Sequence, residues 1–377
     1  MNFTTRLPDW LKRLPRPTLR TTRPRGRARR RQARSAVVSS VVALGALTVG
    51  FSAYVHFRPG FRDPLVTIKR EVFAERVAAQ PEAIRVVALG SSLSAAAVEP
   101  RTLAATVEAE TGRPCVAFNL SAAGSGPVSI HLHARRLLEA GPVPDVAVVE
   151  CLPAGFAWTA AGPHDATVLK ADRLRRDEID LVERYGFPNA DALRHRWLES
   201  MANPWTGFRI QVLVRVKPRW RPPELAVGDA PRAGIEQGHG WGPWDPPPMA
   251  ERAARTDMVR RKYEPYLRDV DYDRPPAAAF RDAIRLLQAA RVRVVVAAMP
   301  ESTYFRAWYP PGLDRRTRAF LTHLGVECGV PTVDAREWLP DEAFADGHHV
   351  VREWAPAFTR RLVAESVADA VRGLRPD

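Results

Sequence analysis

The residues best placed to do chemistry in this chain are serines and histidines that lie far apart in sequence. Val86-Val87-Ala88-Leu89-Gly90-Ser91-Ser92-Leu93-Ser94 reads as a buried strand running into a turn, and near the other end stands Asp346-Gly347-His348-His349. A serine on a sharp strand-to-helix turn presents its hydroxyl, and the N–H groups of the helix start can hold a developing oxyanion. A histidine three residues after an aspartate can take the serine proton while the carboxylate orients the ring. The chemistry expected from this pattern is attack on an acyl carbonyl. The same residues have plainer roles open to them. A serine at a helix start is an N-cap, Asp346 can cap a turn, and Asp346, His348 and His349 together can ligate a metal. No second group of acids or histidines with ligand spacing supports the metal, so neither a metal nor an organic cofactor is expected.

For these groups to meet, strands must deliver them to one edge of a sheet. Short runs rich in β-branched residues occur at Ile84 to Leu89, Cys115 to Leu120, Val143 to Cys151, Val292 to Met299 and Val330 to Ala335. Runs of this length and composition suit strands buried on both faces. Helical patterning falls between them, near 100–111, 128–140, 277–291 and 314–328, with a last helix near 353–373. Strand–helix alternation implies a parallel sheet covered on both sides. The expected fold is therefore α/β and three-layered, flavodoxin-like, with about five parallel strands. In such sheets sites form at the carboxyl ends of strands, where Gly90, Asn119, Glu150 and Glu301 all fall.

Two other stretches bear on the site. The fourth strand runs into Glu301, Arg306 and Trp308, a carboxylate, a guanidinium and an aromatic that suggest a substrate-binding wall, or else surface ion pairing with aromatic packing. Residues 153–275 break the strand–helix rhythm and are rich in Trp and Pro. They read as an insertion, helical near 172–185 and 189–202 and irregular over 217–250. Such an insertion leaves the third strand's carboxyl end, where it either covers the site or is a structural elaboration.

The formal charge of +14 is uneven: residues 1–34 carry +11 of it, which leaves +3 for the rest. Ser35 to Val55 follows as 21 residues without a charge, long enough to span a hydrocarbon core of about 30 Å as a helix. The chain thus reads as a basic cytoplasmic tail (1–34), a transmembrane signal anchor in membrane lipid (35–57), and a large domain (58–377) outside the cytoplasm; a cleaved signal peptide, whose apolar core is usually shorter, is the other reading of the run. The arginine excess sets that orientation. No aromatic residue interleaves with the arginines of 20–34, so a platform for stacking bases is missing and nucleic acid is not an expected partner.

Taken in order, these blocks resemble the SGNH/GDSL hydrolase superfamily, over 84–152 and 290–375. There the first block reads Gly-Asp-Ser-Leu-Ser, the second supplies an oxyanion glycine, the third an oxyanion asparagine, and the last is Asp-x-x-His. The resemblance implies Ser92 as nucleophile, with Ser91 in place of the block's aspartate, His349 as base and Asp346 as its carboxylate. The backbone N–H groups of Ser92 and Gly124 would hold the oxyanion. The third block departs, because the third strand ends Val149-Glu150-Cys151-Leu152-Pro153 without an asparagine; Asn119 is the candidate replacement. The layout is similar to membrane-anchored members that serve alginate O-acetylation and D-alanyl transfer to teichoic acid. It implies a serine esterase or O-acyltransferase acting on an acylated glycan or lipid. The missing asparagine keeps a different class open: a non-catalytic envelope-assembly protein that binds a glycan or a partner in the same cleft.

Overall fold

The computed structural model describes residues 26–160, 162–187, 190–216 and 232–374. Most of the basic tail, and 217–231 of the stretch expected to be irregular, lie outside the described residues. The chain divides at Phe51/Ser52 into two units. The first belongs to the helix Gly26–Phe57, longer than the expected 35–57 span. Its stretch from Ala28 to Phe57 is long and apolar enough to cross a membrane.

The second unit is built on one five-stranded parallel sheet. Its strands are β1 (Ile84–Leu89), β2 (Cys115–Asn119), β3 (Val146–Glu150), β4 (Arg293–Ala298) and β5 (Thr332–Asp334). They join in the order β2-β1-β3-β4-β5. Every residue of β2 and β3 is buried, which is why these strands read as unbroken apolar runs rather than alternating ones.

Helices cover the sheet in two groups. Pro127–Ala140 packs on Pro275–Ala289, which in turn meets Leu313–Cys328. Pro100–Thr111 packs instead on Ala355–Leu362 and Ala368–Arg372. With the right-handed crossovers that parallel strands follow, the strand order puts the two groups on opposite faces. The helix Pro64–Ala79 contacts β2, with the Phe73 ring 5.8 Å from that of Phe118.

The insertion after β3 is more ordered than its composition suggests. Helices at Arg176–Arg184 and Ala190–Ala202 match the expected pair. The expectation of an irregular run to 250 is corrected: Arg232–Gly238 is helical, and a twenty-residue helix spans Met249–Arg268 with Pro265 inside it. That helix is rich in charge, with nine charged residues of twenty, but Val259, Tyr263 and Leu267 are buried against the core. Their four-residue spacing lays one apolar stripe on the protein.

Candidate active site

The turn after β1 is held from below by the end of β3. Ser91 is the N-cap of the short helix Ser92–Ala97, and its Oγ accepts the N–H of Leu93. The Glu150 carboxylate accepts four further hydrogen bonds from this turn. They come from Ser91 N–H (2.8 Å), Ser91 Oγ (2.5 Å), Ser94 N–H (3.0 Å) and Ser94 Oγ (2.5 Å). Burial raises the Glu150 carboxyl above its ordinary range, and the bonds from Ser91 and Ser94 act against that rise. Gly90 makes this approach possible, since a Cβ there would lie 2.4 Å from Glu150 Oε2 and 2.5 Å from Ser94 Oγ. With Ser91 and Ser94 so engaged, Ser92 is the half-buried serine left for another partner.

That partner comes from the loop before the last helices. His349 Nε2 lies 2.8 Å from Ser92 Oγ, and His349 Nδ1 lies 2.7 Å from Asp346 Oδ2. The Asp346 Oδ1 atom also accepts the backbone N–H of His349 at 3.0 Å. Burial works against a charged Asp346, but its bond with His349 and the neighbouring histidines hold the carboxyl well below its usual range. It is a fixed negative charge, suited to stabilising an imidazolium as Ser92 loses its proton. The loop is braced by the end of β4, where Ser302 N–H donates to Gly347 O at 2.9 Å.

His348 points elsewhere. It is buried against Tyr263 and Phe305, with ring centroids 4.6 and 5.0 Å away. Burial drives its pKa well below the ordinary value, so it is neutral. The ligand atoms of Asp346, His348 and His349 lie within 4.8 Å of one another, as a metal set would. In this geometry the Nδ1 atom of His349 faces Asp346 and its Nε2 atom faces the Ser92 hydroxyl.

The insertion supplies the upper wall. Trp241 Nε1 donates to Ala96 O at 2.8 Å and Gly242 N–H to Ala95 O at 3.0 Å, which ties the segment to the Ser92 helix. Two residues on, Trp244 O accepts the N–H of Arg352 at 2.8 Å, just beyond the histidine loop. The Trp244 indole stacks on the His349 ring.

The remaining expectations fare differently. Gly124, with φ +78°, sits in the loop after β2, whose neighbours Ala123 and Ser125 line the cavity beside Ser92. A side chain at Gly124 would meet Val168 Cγ1 at 2.6 Å. Asn119 is corrected: its amide donates to Ser94 O and Val98 O, both at 2.9 Å, so no amide hydrogen is left for an oxyanion. Of the expected wall, Glu301 and Arg306 do not line the cavity beside Ser92, while Trp308 lines a separate cavity with Ser302 and Gly347, next to the histidine loop. Glu301 is buried and accepts the Tyr309 hydroxyl at 2.6 Å, and burial pushes its carboxyl up to about 7. Arg306 pairs with Glu337 at 3.2 Å, and Trp308 packs on Phe305. Glu150 and Trp244, neither read as site residues, are the ones that hold the serine turn and the histidine. Only the place of Glu150 at a strand's carboxyl end hinted at its part.

No family model matches this chain, and no curated protein matches it.

Proposed function

We propose that this protein is a membrane-anchored serine esterase or O-acyltransferase of the SGNH type, acting on an acyl ester outside the cytoplasm. The observation that carries the reading is the unbroken chain Ser92 Oγ–His349 Nε2 and His349 Nδ1–Asp346 Oδ2, at 2.8 and 2.7 Å. His349 takes the Ser92 proton as Oγ attacks the carbonyl, and Asp346 stabilises the imidazolium. The ring then returns the proton to the departing alcohol, leaving the acyl group on Ser92 for water or a sugar hydroxyl. As the first helical residue, Ser92 has a backbone N–H without an intrahelical acceptor, so it serves the oxyanion together with that of Gly124. The strand order 2-1-3-4-5 supports a flavodoxin-like classification.

The rival reading, a non-catalytic envelope-assembly protein that binds a glycan or partner in this cleft, draws on Asn119. With its amide committed to carbonyls, the oxyanion site has no side-chain donor in the place of the third-block asparagine. A fluorophosphonate probe separates the two readings. Covalent labelling that maps to Ser92 is expected, followed by turnover of short acyl esters. An intact, folded protein that takes no label and turns over no ester supports the rival.

A further inference from the structure

Beside Ser92 lies a cavity of about 230 Å³, with apolar walls that include Leu132, Leu169 and Leu174. Its charged lining is unbalanced, with Lys69, Arg136 and Arg173 against Asp63 alone. Arg136 is fully engaged, by Asp63 at 2.8 Å and by Glu178 at 2.6 and 2.8 Å. Lys69 is not. It is only 6% exposed, and its Nζ donates to Ser121 O at 2.7 Å. Among the described residues no carboxylate lies within ion-pair distance of it. The Ser121 hydroxyl is buried as well and has no hydrogen-bond partner. Ser121 is tied to the nucleophile turn, since the next residue, Ala122, donates its N–H to Gly90 O at 2.9 Å.

A buried ammonium resting on one neutral carbonyl is unfavourable for the fold, and an apolar side chain of similar length would fill the space at less expense. Burial alone lowers Lys69 to about 7, with no acid to offset it. Once protonated it has three N–H donors, of which one is occupied within the protein, and an anion beside it would favour that protonated form.

We propose that Lys69 Nζ and Ser121 Oγ form a subsite for an anionic group, a carboxylate or a phosphate, carried by the substrate a few bonds from the ester carbonyl. The apolar walls suit the short chain between the two. That the ligand is a substrate rests on the reading of Ser92 as nucleophile; that the cavity binds an anion does not.

The test uses Ser92→Ala full-length protein in detergent, so that no ester is consumed and binding is read apart from catalysis. Trp241 and Trp244 line the cavity and report binding through their fluorescence. Monomethyl glutarate, neutral dimethyl glutarate and inorganic phosphate are titrated in turn. At least one of the two anions is expected to bind ten times or more tightly than the diester, and the arm that responds tells carboxylate from phosphate. Adding Lys69→Met is expected to weaken that anion tenfold or more while raising the melting temperature, a combination that a merely structural lysine would not give. Ser121→Ala, which leaves the fold intact, is expected to weaken it less. Equal binding of the diester, no binding of either anion, or undiminished binding by Lys69→Met overturns the proposal. None of these results depends on whether Ser92 reacts.

Discussion

The His349 imidazole and the Trp244 indole lie face to face, with centroids 4.1 Å apart and planes 6° from parallel. The indole fixes the ring plane while Asp346 and Ser92 fix its two edges. An aromatic face also favours a cation, so in the proposed reaction the stack would gain strength as His349 becomes imidazolium. Trp244→Leu is therefore expected to lower kcat by about three- to thirtyfold and to leave KM nearly unchanged, with Trp244→Phe in between. A loss confined to KM in steady-state kinetics would instead make Trp244 a substrate contact.

Adjacent serines should separate cleanly. Ser92→Ala is expected to lose probe labelling and turnover while unfolding like the parent, and His349→Ala to match it in turnover. Asp346→Asn should retain about a hundredfold more activity than either, because members of such a unit do not contribute additively. Ser91→Ala should still label, yet lose about 1–3 kcal/mol of stability in denaturant titration, since a cap disappears and a Glu150 oxygen loses a donor. A stable but unreactive Ser91→Ala protein would move the nucleophile by one position.

Glu301 gives a pH signature. Its carboxyl is raised in the folded protein from 4.5 to about 7, so the folded state holds a proton that the unfolded chain has released. The stability this contributes is complete below about 4.5 and is lost as pH rises through about 7, a loss of about 3 kcal/mol. Glu301→Gln cannot ionise. Denaturant titrations at pH 5 and pH 8 should show a smaller drop for the variant than for the parent; equal drops would mean that Glu301 is ionised throughout.

The +11 of residues 1–34 beside an uncharged run predicts an orientation with the large domain outside the cytoplasm. Protease added outside intact spheroplasts is expected to degrade the domain from 58 onward and to spare the tail. Protection of that domain would place it in the cytoplasm and remove the envelope substrate with it.

Strand positions were legible because β1, β2 and β3 are buried along almost their whole length, and a strand with no wet face writes itself as an apolar run. Ser92, Asp346 and His349 were legible as types at the right spacing. What the sequence hid is the partner of each polar residue. Asn119 and Glu150 look alike as polar residues at strand ends, yet one braces backbone carbonyls and the other collects a serine turn 56–59 residues away. Trp244 meets His349 through a loop whose path no local pattern specifies. The helix Met249–Arg268 was hidden by its charge, since three buried apolar residues at four-residue spacing are a faint stripe in a segment with nine charged residues.

The contact of Gly90 with Glu150 and Ser94 ties three positions into one unit of inheritance. A methyl group at 90 would sit on the carboxylate that both serines need, so no single substitution there is neutral while Glu150 and Ser94 remain. A descendant of this chain with alanine at 90 must also have shortened the residue at 150 and found another anchor for the serine turn. Variation at 90, 94 and 150 should therefore arise jointly, and a sequence in which only one of them has changed marks a turn that has lost its hold.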